Sequence, residues 1–106
     1  MDSLFGSALR TQTLVAIGRL QLSFLSELAR VLNRRPTEIA RAVASLERAG
    51  VVASQRAGRT RLVRLDPRFH AASKLYALLL RLSEDPIYRK RWASIRKRPR
   101  AIGKPA

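Results

Sequence analysis

The chain has 106 residues, 46% of them apolar, enough for one domain around a single hydrophobic core and too few for two independent ones. Its 22 Lys and Arg against 7 Asp and Glu give a formal charge of +15, and so basic a surface repels itself unless an anion is near, which points to a polyanion, with nucleic acid ahead of an anionic membrane. The absence of cysteine excludes disulfides, Cys-based zinc sites, iron–sulfur clusters and thiol redox sensing.

Of the 22 cations, 18 are Arg, whose planar fork matches phosphate and guanine edges, although an Arg-rich genome gives the same bias. The sequence begins Met1-Asp2-Ser3 without a basic segment leading into a long apolar one, and its longest apolar run is Leu75 to Leu80. These features predict a cytoplasmic protein with no membrane partner.

Leu4 and Phe5 precede Gly6 and are expected to form a lead-in turn packed on the core, with Ser7 as a helix cap. From Ser7 to Leu20, Leu9, Thr13, Ala16, Ile17 and Leu20 recur at helical spacing, predicting a helix with one buried face; Leu14 and Val15 lie off it, toward a second surface. Leu22-Ser23-Phe24 reads as a brief extended segment. A second helix follows, with Leu25, Leu28, Ala29 and Leu32 on one face and Asn33 suited to a left-handed stop.

Only Asn33, Arg34 and Arg35 separate that helix from Pro36, which suits the first position of a third helix over 36–49, and Gly50 suits its left-handed end. Ile39, Ala42, Val43, Leu46 and Ala49 form its apolar stripe, while Thr37, Glu38, Arg41, Ala44, Ser45 and Arg48 fall toward the other side. Two short amphipathic helices across a three-residue turn describe a helix-turn-helix. The β-leaning runs Val51 to Arg56 and Arg59 to Leu65, joined at Ala57-Gly58, read as a hairpin, the candidate wing over 51–65.

After Pro67, Leu75, Leu78, Leu79 and Leu82 form one helical stripe, with Tyr76 and Leu80 beside it. A helix apolar over so much of its circumference is expected to be buried on two sides, covering the first helix and pairing with a second copy through Leu75, Tyr76, Leu79 and Leu82. Ser83-Glu84-Asp85-Pro86 breaks the pattern, with Asp85 as a cap, and Tyr88, Trp92 and Ile95 continue one stripe, read as core or dimer packing ahead of base stacking. From Arg89 to Ala106 there are eight Lys and Arg and no acid, and Pro99, Gly103 and Pro105 argue against order near the end. An arm lying on phosphates and a plain solvated tail are equally compatible with that composition.

The chain resembles the winged helix-turn-helix family, most closely its ArsR-like branch. The resemblance covers about residues 4 to 82 and rests on Leu4-Phe5-Gly6-Ser7-Ala8-Leu9-Arg10, Leu25-Ser26-Glu27-Leu28-Ala29, Leu46-Glu47-Arg48-Ala49-Gly50-Val51-Val52, Gly58-Arg59 and Arg64-Leu65-Asp66-Pro67. It implies a mainly α fold with a small β-hairpin wing and a C-terminal helical extension, in which the third helix enters the major groove and the wing contacts the backbone or minor groove, usually in a homodimer. On that basis 1–67 is the expected DNA-binding core, 68–98 the dimerising helices and 99–106 a basic tail. The chain is also similar to small winged-helix modules that precede nucleotidyltransferase domains, in Asp66-Pro67-Arg68-Phe69 and Leu75-Tyr76-Ala77-Leu78. It lacks the Cys and His ligands of metal-sensing members, and Arg34-Arg35-Pro36 stands where a small polar start is usual.

Arg34, Arg35, Thr37, Arg41 and Ser45 are therefore the expected groove-facing set, with Arg41 best placed for a bidentate contact to guanine. Glu38, in the first turn, is better explained by the helix dipole. Arg56, Arg59 and Arg61 at the wing are expected on phosphate or minor groove, and Arg30 on backbone. A lone His70, no paired carboxylates with a role to fill and no Gly-rich phosphate loop predict no catalytic residue, metal or cofactor. The expected function is that of a sequence-specific regulator, more a repressor than an activator, binding double-stranded DNA as a homodimer, with any small-molecule effector unassigned. The alternatives are a nonspecific DNA-coating protein and an adaptor for a separately encoded nucleotidyltransferase.

Overall fold

The computed structural model describes residues 4–89. In chain order these form α1 (Ala8–Leu20), β1 (Ser23–Phe24), α2 (Leu25–Leu32), α3 (Pro36–Arg48), β2 (Val52–Ala57), β3 (Thr60–Leu65) and α4 (Ala72–Ser83), and a further helical turn runs over 86–89. The fold is helix-rich with one small antiparallel sheet of three strands, in the order β1-β3-β2.

The first helix is its centre. Ser7 caps it, its Oγ accepting from the Arg10 N–H at 3.1 Å. Thr13 to Gly18 are all buried, because α2, α3, α4 and β3 pack around this one helix. Leu14 and Val15, off the main stripe, meet the second surface expected of them, and with four elements around it α1 is covered over most of its circumference. At the lead-in, Phe5 packs against the core as expected, whereas Leu4 is 54% exposed.

Local signals set the boundaries that follow. Asn33 ends α2 in the left-handed region (φ 56°, ψ 49°), and the Arg34 N–H reaches back to the Ala29 carbonyl at 2.9 Å. Pro36 then opens α3, and the Glu38 carboxylate accepts from the Arg35 N–H at 3.1 Å, satisfying a donor the helix leaves open. At the far end Gly50 takes φ +80°, and the Val51 N–H closes on the Leu46 carbonyl at 3.1 Å.

The hairpin register pairs Ala57 with Thr60, so the two-residue loop is Gly58-Arg59, the tip the resemblance implies and one position later than the Ala57-Gly58 junction read from the strand pattern, with Gly58 at φ +66°. Val52 and Val63 are buried on its inner face. The extended Ser23-Phe24 pairs with Val63 and Leu62 and becomes the third strand, a long-range pairing that no local pattern announces.

The fourth helix closes on α1. Leu79 is fully buried, with Leu75 and Leu82 half-buried beside it, while Leu78 is 44% exposed. A Cβ placed on Gly18 would lie 2.5 Å from the Leu79 Cβ, so the two backbones approach only because residue 18 has no side chain. Of the expected dimer contacts, this corrects Leu79, which has no surface to offer a second copy; Leu75 and Leu82 pack half-buried on their own chain, and the half-buried Tyr76 accepts through its hydroxyl from Gln21 Nε2 at the end of α1. Tyr88, only 2% exposed, joins the same core, so residues 68–89 are packed with 4–67 and no boundary between hydrophobic cores falls at 67. Trp92, Ile95 and the basic tail lie outside the described residues. Among the described residues no helix is long and apolar enough to cross a membrane.

Replacing Gly18 by Ala should force α1 and α4 apart and destabilise the protein by about 1–3 kcal/mol, the usual cost of overpacking. Urea unfolding measures this, and Leu79→Ala in the Gly18→Ala background should not restore the lost stability, because alanine keeps the Cβ that the new methyl meets and leaves a cavity beside it. Unchanged stability of Gly18→Ala would contradict the close approach.

Candidate nucleic-acid interface

With Ile39, Ala42, Val43 and Leu46 buried, α3 turns Thr37, Arg41 and Arg48 outward on a single face. Ser45, grouped with that face by the sequence, is half-buried at its edge. Arg34 and Arg35 stand exposed at the leading end of α3, where they border an open hollow of about 740 Å³ shared with Arg30 and Asn33 of the preceding helix end. One carboxylate enters this region: Glu38 Oε2 lies 3.9 Å from Arg34 Nη1, both side chains being more than a third exposed. A solvent-screened pair of this kind is worth at most about 1 kcal/mol, so Arg34 is readily exchanged to another anion.

Beyond the C-terminal end of α3 lies the hairpin. Arg56 and Arg61 are directly opposed across its two strands, with Ser54 two residues back on the same face as Arg56. Like charges opposed in this way are destabilising by themselves. Together with Ser54 and Gln55 they line a second hollow, of about 380 Å³. Glu47 ties this face to α3: its Oε2 accepts from Ser54 Oγ at 2.6 Å, and its Oε1 lies 4.0 Å from Arg61 Nη2. Arg59 is exposed at the loop.

Glu47 is a connecting residue to which the apolar period of α3 gives no role. Its signal was legible, since a carboxylate in the last turn of a helix opposes the dipole and calls for a compensating partner. Arg48, seven residues after Arg41, also belongs to the exposed face and was absent from the expected contact set. Among the described residues Arg30, Arg35, Arg41, Arg48, Arg56 and Arg59 take part in no ion pair. No group of three or more His, Asp or Glu side chains comes together there to hold a metal.

At the hairpin exit the Asp66 N–H donates to the Val51 carbonyl at 2.9 Å. The Asp66 carboxylate accepts from the Arg68 Nε at 3.3 Å and Nη2 at 3.4 Å, and from the Arg68 N–H at 2.9 Å, a local turn that redirects the chain toward α4. The guanidinium of Arg68, then its backbone N–H, hold this carboxyl below the ordinary value of 3.8 against the opposing effect of burial.

No family model matches the chain, and neither a curated protein nor a solved structure is significantly similar to it. The arrangement therefore rests on its own geometry: an exposed arginine-bearing helix face between two basic hollows.

Because the folded-state pKa of Asp66 is depressed, its contribution to stability is complete above the unfolded value and is lost as pH falls through the lower folded one. The wild-type chain should accordingly lose more stability than Arg68→Ala on going from about pH 5 to about pH 2. Parallel acid-unfolding curves for the two proteins check this, and identical curves would remove the Asp66–Arg68 contribution.

Proposed function

We propose that the chain is a winged helix-turn-helix protein of the ArsR-like kind that binds double-stranded DNA sequence-specifically as a homodimer and regulates transcription, as a repressor in the first instance. One observation carries the reading: Thr37, Arg41 and Arg48 share the outward face of α3 between two arginine-lined hollows, and most of the arginines there have no ion-pair partner among the described residues. A helix with its side chains fits a major groove about 12 Å wide. In that pose Arg41 addresses the O6 and N7 of a guanine, with Thr37 and Ser45 beside it as hydrogen-bonding groups.

The flanking cations do different work. Arg30, Arg34 and Arg35 take a phosphate at the leading end of α3, and Arg56, Arg59 and Arg61 take the backbone beside the wing, where a phosphate relieves the repulsion between the opposed Arg56 and Arg61. Glu47, bonded to Ser54, holds the wing against the recognition helix so that both address one duplex. For the homodimer, the large apolar side chains exposed on α4 and the turn after it, among the described residues, are Leu78 at 44% and Ile87 at 57%.

Binding measured against salt should give a log–log slope of about −5 to −9, as expected for some six to ten neutralised phosphates. At fixed salt, Arg41→Ala should cost about 1–3 kcal/mol at one base position, whereas Arg59→Ala should weaken all sequences alike. Competition binding against random DNA is the deciding measurement. Specific binders usually gain about 10³ or more, and a preference below about tenfold would replace this reading by nonspecific DNA coating.

Leu78→Glu should convert a dimer into a folded monomer, read by sedimentation velocity alongside circular dichroism. A wild-type chain that sediments as a monomer at every concentration tested would overturn the homodimer.

A further inference from the structure

A hollow of about 410 Å³ opens where the end of α1, the exit of β3 and the first turns of α4 meet. Ile17, Leu65, Pro67 and Ala72 give it a mainly apolar lining, and its size falls within the range of roughly 300–1,000 Å³ typical of small-molecule sites.

Its polar groups are few and unusual. Gln21 takes φ 68° and ψ −60°, and the Leu22 N–H donates to the Leu20 carbonyl at 2.7 Å, closing a three-residue γ-turn of the positive-φ kind. That conformation is rare and strained for a residue with a side chain, and persists only where the surroundings over-determine it. Here the surroundings are those of the hollow: Gln21 Nε2 donates to the Tyr76 hydroxyl oxygen, and both residues line the cavity. A hydroxyl that accepts in this way still has its own proton to donate. Arg64, also at the wall, is exposed and has no carboxylate within ion-pair distance among the described residues; Asp66, two positions on, is bonded to Arg68 and feels Arg64 only at longer range.

We infer that this hollow binds a small carboxylate with an apolar body. The body lies against Ile17, Leu65, Pro67 and Ala72, and the carboxylate lies toward the Arg64 guanidinium and the Tyr76 hydroxyl. A dianionic phosphate is a poor match for so apolar a lining with one cation, and a neutral hydrocarbon leaves the arginine and the hydroxyl unused. The inference stands apart from the DNA reading, because none of these residues belongs to the proposed DNA contacts. An occupant would bridge the hairpin exit and α4, and would stabilise the folded state by an amount that grows with the logarithm of its concentration above the Kd.

The test is a titration of the full chain, followed by amide ¹H–¹⁵N shifts at constant ionic strength, with sodium benzoate and sodium hexanoate as probes and benzamide as the neutral control. Saturable shifts are expected at Gln21, Leu65 and Ser73, with benzamide weaker than benzoate by about tenfold, the scale of a lost charge-assisted hydrogen bond. Arg64→Gln, at an exposed position that leaves the fold intact, should weaken benzoate by a similar factor, and Ala72→Phe should fill the hollow and abolish binding. The inference is overturned if neither acid gives saturable shifts there, if shifts concentrate at α3 and the hairpin instead, or if benzamide or Arg64→Gln matches benzoate on the wild-type chain.

Discussion

The position of α4 depends on one missing side chain. At Gly18 the backbone of α1 comes so near Leu79 that a Cβ would fall 2.5 Å from that of the leucine, and this contact lets α4 complete the enclosure of α1. A central helix covered by α2, α3, α4 and β3 acts as the common wall of the molecule. Through it the outward face of α3 and the hairpin are held on one rigid body. The hollow at the β3 exit has the same origin, since its walls are the ends of the elements that α4 draws together.

The second organising feature is where the few carboxylates sit. Glu38 satisfies the backbone at the start of α3, Glu47 joins the end of α3 to the hairpin through Ser54, and Asp66 turns the chain out of β3 by holding Arg68. Each of these acids is placed at a junction between elements. Most arginines between the junctions have no ion pair among the described residues, which is how an overall excess of positive charge becomes a local one. Two cations opposed at Arg56 and Arg61, with Glu47 the one carboxylate in ion-pair reach of either among the described residues, leave like charges in repulsion across the hairpin.

Much of this was legible along the chain because its causes are local. Ser7, Asn33, Pro36 and Gly50 punctuate the helices through properties of single residues, a hydroxyl that caps, a side chain or a glycine that tolerates the left-handed region, a ring that needs no donor. The 3.6-residue period of Ile39, Val43 and Leu46 likewise placed Thr37 and Arg41 outside before any packing was known. In α1 and α4 the sequence is less informative, because apolar residues lie on several faces. In such helices periodicity no longer says which residue covers which neighbour: α4 covers α1 as expected, but Leu79, expected also at a second copy, is wholly taken up by the contact with Gly18.

By itself, then, the sequence determined the order of helices and strands, the turn between α2 and α3, and the arginine-bearing face of α3, since these follow from propensity, capping and period within a few residues. Only the tertiary structure decided that Ser23-Phe24 would become a third strand, that Glu47 would reach Ser54 on the hairpin, that α4 would close on α1, and that Gln21 would be held in its strained turn by Tyr76. Those contacts join residues far apart in the chain or in separate elements, and their energies depend on shape complementarity between surfaces that do not exist until the chain has folded.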